Sequence, residues 1–178
     1  MTFEEKTLES QRIYEGAVLN LRRDKVTVRD NGTSYREVIE HRGAVTLAAM
    51  TAEGNMVLVR QFRYAAGKVL LETPAGKMEK GEEPIVTAAR ELKEETGYTA
   101  GKLTHLSSFY CAIGYSNEII HLYLAEDLTP GETDFDDNEA IDVEEIPLTE
   151  LKRMALAGEI DDGKTLVAIL TVAARMGI

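Results

Sequence analysis

From residue 25 to residue 73 the chain runs in short apolar or β-branched-rich stretches, broken by turn-forming pairs. "KVTVRDNGTSYREVIEH" carries β-branched residues on both sides of Asn31-Gly32 and predicts a hairpin. "AVTLAAMTAEGNMVLVRQF" predicts a second hairpin, turning near Glu53-Gly54. "KVLLETP" predicts a strand that ends at Pro74, because proline has no N–H to offer a ladder. Further on, "KLTHLSSFY" and "IIHLYLAEDL" predict strands with "CAIGYSNE" between them. A short strand over Ile141 to Ile146 follows an acidic loop.

The period changes between Pro84 and Gly97. Ile85, Ala88, Ala89 and Leu92 recur at i, i+3, i+4 and i+7, which predicts a helix with these four on its buried stripe. Proline suits the first turn and glycine the position past the end. Two helices close the chain. One starts after Thr149 and stops at Gly158; the other runs from about Thr165 to Met176, with Leu166, Ile169, Leu170 and Ala173 as its apolar stripe. Elements in this order predict an α/β fold, a mixed sheet covered by helices. Residues 1 to about 42 read as a β appendage to a main domain over 43–178.

Charge narrows the partners. The net charge of −11 repels polyphosphate backbones, so nucleic acid is not expected. A small anionic substrate stays open, because a metal ion and a few arginines can reverse the field inside one cleft. The polar start "MTFEEKTLES" does not read as a secretory signal, and no apolar run is long enough to span a bilayer. With a single cysteine, Cys111, these features point to the cytoplasm and to no membrane partner.

Candidate chemistry concentrates in "GKMEKGEEPIVTAARELKEETGY", which holds six glutamates in 23 residues. On the helical wheel, at about 100° per residue, Glu91 and Glu95 stack on one border of the apolar stripe and Glu94 lies further round. The helix dipole disfavours anions in the last turn, and like charges four apart repel. Arg90 can relieve Glu94, but one arginine cannot balance the set. Carboxylates held this close either raise their pKa values or share a cation, and Mg²⁺ or Mn²⁺ suits oxygen ligands of this kind. The plainer reading is an acidic face turned to water. Against it stand Gly76, which begins a loop able to return toward the helix, and the crowding of acids just before Gly97.

Gly76, five residues, Glu82, seven residues and then "RELKEETGY" resembles the Nudix box, with Tyr98 where an aliphatic residue is more usual. The resemblance implies an α/β/α sandwich and metal-dependent hydrolysis of a diphosphate linked to another moiety. It also implies Glu91 and Glu95 as ligands of Mg²⁺ (Mn²⁺ being possible), with Glu94 holding a further ion or water. The backbone carbonyl of Ala75 would be an extra ligand, Arg90 would orient the glutamates, and Glu82 would be a supporting group or a further ligand.

The flanks are similar to the branch of the family that hydrolyses ADP-ribose and nucleoside diphosphate sugars. In "LVRQFRYAAGKVLLETPAG", Arg60 and Arg63 point to opposite faces of a strand, so one of them is expected at the phosphates, with Glu72 lining the same cleft. "FYCAIGYSNE" matches a segment that often carries a proline before its glycine; Ile113 stands there, and Glu118 is a further candidate contact. "DFDDNEAIDVEEIPL" matches a loop that supplies the general base, Glu139 first and Asp137 next, with Glu94, Glu118 or the metals alone as the remaining sources. The branch implies a homodimer built through residues 1 to about 42, in which Tyr35 stacks on the base of the substrate. Two other functions stay open: a housecleaning hydrolase of modified nucleoside triphosphates, and a nucleotide sensor without turnover.

Overall fold

The computed structural model describes residues 4–29, 32–134 and 140–178. They divide into two compact units, one comprising the chain up to Gly43 with Tyr110–Ile119, the other Ala44–Phe109 with Ile120–Ile178.

The first unit is a three-stranded antiparallel sheet, β1 (Thr7–Glu15), β2 (Asn20–Thr27) and β3 (Thr33–Glu40), in the order β1-β2-β3. The expected hairpin is β2–β3, in register from Asn20↔Glu40 to Thr27↔Thr33. The unforeseen strand is β1, which is exposed at every residue. Without a buried face it has no apolar alternation to read, and its order comes from pairing with β2. Buried Asp24 accepts from Ser10 Oγ at 2.6 Å and pairs with Arg22. The 110–119 segment joins this unit through Ile39 N–H to the Tyr115 carbonyl (2.7 Å) and His41 N–H to Asn117 Oδ1 (2.8 Å).

The second unit carries β4 (Ala44–Met50), β5 (Asn55–Arg63), β6 (Lys68–Glu72), β7 (Ala75–Lys77), β8 (Thr99–Tyr110), β9 (Ile119–Thr129) and β10 (Ile141–Pro147). Their path is β10-β5-β4-β9-β8, with β6 on β5 and β7 on β4; β4 and β9 run parallel and make the sheet mixed. The β4–β5 hairpin turns at Gly54, whose φ of 85° suits glycine. It stays paired only at Ala49↔Val57 and Met50↔Met56, after which β5 leaves β4 to lie between β10 and β6.

Helix α1 (Pro84–Thr96) covers one face of this sheet, packing Ala88 and Leu92 on Val45, Leu47, Ala49, Val57 and Tyr123. Helices α2 (Leu148–Leu156) and α3 (Gly163–Arg175) cover the other, on Ala48, Met50, Met56, Leu58 and Leu122. This is the expected α/β/α arrangement. Among the described residues no helix is long and apolar enough to cross a membrane.

Both predicted helix stripes need correction. On α1, Ile85 and Ala89 are exposed, and the buried face is Thr87, Ala88, Leu92, Glu95 and Thr96. The helix has rolled so that Glu95 is buried, where the Ala75 N–H receives it. On α3, Leu170 is 40% exposed, and Thr165, Ala168, Ile169, Val172 and Ala173 are buried. That helix begins at Gly163 because Asp162 caps it, accepting from the Thr165 N–H.

Candidate active site

The site is built where β7 returns against α1. Pro84 opens the helix, and Gly97 closes it at φ 75° with its N–H on the Lys93 carbonyl. Three residues, Ala75–Lys77, pair with β4 and bring their backbone under the helix's acidic side. The Ala75 N–H donates to Glu95 Oε2 at 2.9 Å. Glu91 fills the space a side chain at residue 76 would occupy: a Cβ built on Gly76 would lie 1.8 Å from its carboxyl carbon. Glycine at 76 is therefore a condition for Glu91 to reach the strand.

Arg90 is the hub of the acids. Its Nη1 donates to Glu91 Oε1 (2.8 Å) and Glu94 Oε2 (2.9 Å), and its Nε donates to Glu82 Oε1 (3.2 Å). Glu82 also accepts from the Glu79 N–H at 3.0 Å. Arg90, followed by that N–H, holds the Glu82 carboxyl down at about 2. Glu82, against the opposing effect of burial, raises the guanidinium of Arg90 above its ordinary value. Tyr98 closes this side, its hydroxyl donating to Glu145 Oε1 at 2.6 Å, which raises the phenol.

Arg60 and Arg63 lie on opposite faces of β5. Arg60 alternates with Leu58 on the α2–α3 face and pairs with Glu144 of β10. Arg63 alternates with Val57 on the α1 face and donates from Nε and Nη2 to Glu72, each at 2.7 Å. Glu72 does not line an open cleft: it is 1% exposed. Burial pushes its carboxyl up, but Arg63 and Lys164 outweigh burial and hold it below the usual carboxylate range. Spacing gave no hint of Lys164, since the α3 helix was expected to begin after it; Asp162 as an N-cap was the available signal.

Tyr35 and Glu118 belong to the first unit. Tyr35 is 54% exposed and carries the Arg23 guanidinium 4.1 Å from its ring centre, and Glu118 lies 3.3 Å from His41 Nδ1. Asp137 and Glu139 fall outside the described residues. The chain enters that stretch from Asp134, whose N–H donates to the Glu94 carbonyl at 3.0 Å. It re-enters β10 at Ile141, opposite Gln61 of β5.

Glu91 and Glu95 offer carboxylate oxygens, a ligand type that fits a hard divalent cation keeping several waters. Among the described residues no three His, Cys, Asp or Glu side chains converge as a metal site by themselves. The NUDIX domain family model matches residues 40–168. The chain belongs to the Nudix family.

Among its Nudix relatives, an ADP-ribose pyrophosphatase of Bacillus subtilis is 42% identical over 170 residues, covering 94% of this chain and 92% of the relative. A protein of Bacillus methanolicus named methanol dehydrogenase activator is 43% identical, covering 94% and 91%. A GDP-mannose pyrophosphatase of Yersinia enterocolitica is 35% identical, covering 79% and 80%. A solved structure described as an ADP compounds hydrolase shares the fold with a TM-score of 0.86 at 20% identity, covering 98% of this chain and 95% of its own.

Proposed function

We propose that this Nudix protein hydrolyses the diphosphate of a nucleoside diphosphate sugar, ADP-ribose in the first place, to a nucleoside monophosphate and a sugar phosphate. The observation that carries the reading is the joint of β7 and α1, where the Ala75 N–H and the bare Cα of Gly76 receive Glu95 and Glu91. Two carboxylates are thereby gathered at one backbone turn although like charges repel. Glu91, Glu95 and the Ala75 carbonyl would hold the divalent cation, Mg²⁺ or Mn²⁺, with Glu94 and Glu82 as outer ligands. When bound, that cation activates water and neutralises charge on the phosphates.

The remaining work falls to the chain's own groups. Arg90 keeps Glu82, Glu91 and Glu94 in place. Arg63, on the α1 face with the acids, is the phosphate contact favoured over Arg60. Glu139, or Asp137 as second choice, takes the proton of the attacking water, a reading supported by the flanks of their stretch, Asp134 on the Glu94 carbonyl and Ile141 opposite Gln61. Tyr35 and Glu118 complete the substrate contacts in a homodimer built through residues 1–42, where exposed Leu8, Ile13 and Tyr14 of β1 give an apolar surface. Sedimentation as a monomer at micromolar concentration would remove that part. A cytoplasmic location belongs to the same reading.

The test is a panel of ADP-ribose, GDP-mannose and modified nucleoside triphosphates with Mg²⁺, the products identified by chromatography. Cleavage of ADP-ribose between its phosphates is the expected result. Preference for triphosphates, or binding without turnover, overturns the reading in favour of a housecleaning hydrolase or a sensor.

A further inference from the structure

Glu72 is the most deeply buried carboxylate among the described residues. A buried carboxylate is costly unless paired and hydrogen-bonded, and here it has two cations. Arg63 grips it as a two-pronged fork, Nε on Oε1 and Nη2 on Oε2. Lys164, in the first turn of α3 and only 11% exposed, donates to the same Oε2. Lys164 also donates to Asp162 Oδ2 at 3.0 Å. Asp162 has other partners, accepting from Thr165 N–H at 3.0 Å and Oγ1 at 2.6 Å. Thr165 Oγ1 in turn accepts from the Thr73 N–H at 2.8 Å, which fixes the start of α3 against the residue after Glu72.

Arg63 differs from Lys164 in what it leaves showing. It is 41% exposed, and among the described residues its Nη1 has no hydrogen-bond partner. Its guanidinium is held along one edge and presents the other on the α1 face, close enough to Glu95 to feel that charge. We propose that Lys164 is a positioning residue: by answering Glu72 from the α3 side, it leaves the outer edge and the charge of Arg63 available to the substrate's diphosphate. With Lys164 present, Glu72 and Asp162 together meet two cations and the cluster is balanced. Without it, both carboxylates draw on Arg63 alone, and a phosphate meets a net negative, inward-held cluster. The inference rests on the reading of Arg63 as a phosphate contact in a nucleoside diphosphate sugar hydrolase.

The experiment is a double-mutant cycle read by KM and kcat for ADP-ribose with Mg²⁺, and by ADP binding in calorimetry. Lys164→Met is expected to raise KM and the ADP Kd by about tenfold, the size of a lost charge-assisted contact, with kcat changed less. Lys164→Arg should restore both to near wild type. In an Arg63→Met background, Lys164→Met should add almost nothing, whereas a purely structural role would add its effect in either background and lower kcat through lost folded enzyme. Should Lys164→Met fold poorly, Glu72→Gln/Lys164→Met removes the buried charge with its partner, and with no unanswered Glu72 to compensate, the Kd should return toward wild type; a Kd still raised about tenfold in that variant overturns the proposal. Unchanged KM and Kd in Lys164→Met, or additive effects with Arg63→Met, overturn the proposal while leaving the hydrolase reading intact. ADP-ribose left uncleaved by a wild type that binds ADP overturns the substrate reading, and the Kd cycle still decides Lys164. A wild type that does not bind ADP overturns both.

Discussion

The second unit carries two charged clusters, one with an excess of carboxylates and one in balance. Around Arg90, one guanidinium serves three carboxylates, Glu82, Glu91 and Glu94, with Glu95 on the same side of the helix. Around Glu72, two carboxylates, Glu72 and Asp162, meet two cations, Arg63 and Lys164. Neither is the arrangement that stability alone favours, since like charges held together repel and buried ones are expensive to desolvate. The difference separates their tasks: the acidic cluster is short of a cation, and the balanced one anchors Arg63 along one edge and leaves the other open.

The largest effect should come from breaking the acidic cluster. Glu95→Gln keeps volume and removes charge, and kcat for ADP-ribose should fall by at least about 10²-fold, given that even outer partners of a metal ligand cost about 10–100-fold. Circular dichroism should show the fold retained. Excess chelator should abolish wild-type activity, and full activity in chelator would sink the assignment.

Next comes the question of whether the general base belongs to that cluster or to the stretch beyond Asp134. Glu139→Gln, with Asp137→Asn beside it, should lower kcat by about 10²–10⁴-fold at nearly constant KM if one of them is the base. Near-normal kcat in both moves the role to Glu94, Glu118 or the metal alone.

Gly76→Ala separates geometry from stability. Its new Cβ would displace the Glu91 carboxylate, the far end of a flexible side chain, so the melting temperature should change little. Activity should nonetheless drop by about 10²-fold, as a displacement of about 1 Å can cost. A variant with wild-type kcat would show that Glu91 need not touch the strand.

The smallest effect is acid stability. The Glu82 carboxyl is lowered from 4.5 to about 2 by Arg90 and the Glu79 N–H. A depressed carboxyl stabilises the fold above its unfolded pKa, and that contribution is lost as pH falls from about 4.5 to about 2. Denaturant titrations of Glu82→Gln should therefore show a shallower decline of stability with falling pH across this window. An unchanged slope would mean that Arg90 is not held through Glu82.

Much of this architecture is written locally. Pro84 and Gly97 bound α1 because one has its φ preset for a first turn and the other tolerates a left-handed cap. Short apolar or alternating stretches bounded by turn residues mark β2 to β6 and β8 to β10, and the box spacing puts Glu91, Glu94 and Glu95 on neighbouring positions of one helix. Other features had no local signal. β1 buries nothing, and β7 is three residues that become a strand only on β4. The roll of α1 that exposes Ile85 and buries Glu95 depends on a donor twenty residues away, the Ala75 N–H. Spacing reaches from Arg90 to Glu94 at i+4, but Glu82 meets the same guanidinium only because its loop folds back beside the helix. Glu72 and Lys164 are 92 residues apart, and their ion pair exists because the start of α3 is fixed against Thr73. The sequence by itself determined which residues carry charge and where the helices and most of the strands lie, because those follow from side-chain chemistry and short-range backbone preference. Only the tertiary structure decided which charges share a partner, because a carboxylate's environment is set by whatever backbone the sheet brings within 3 Å of it, wherever that lies along the chain.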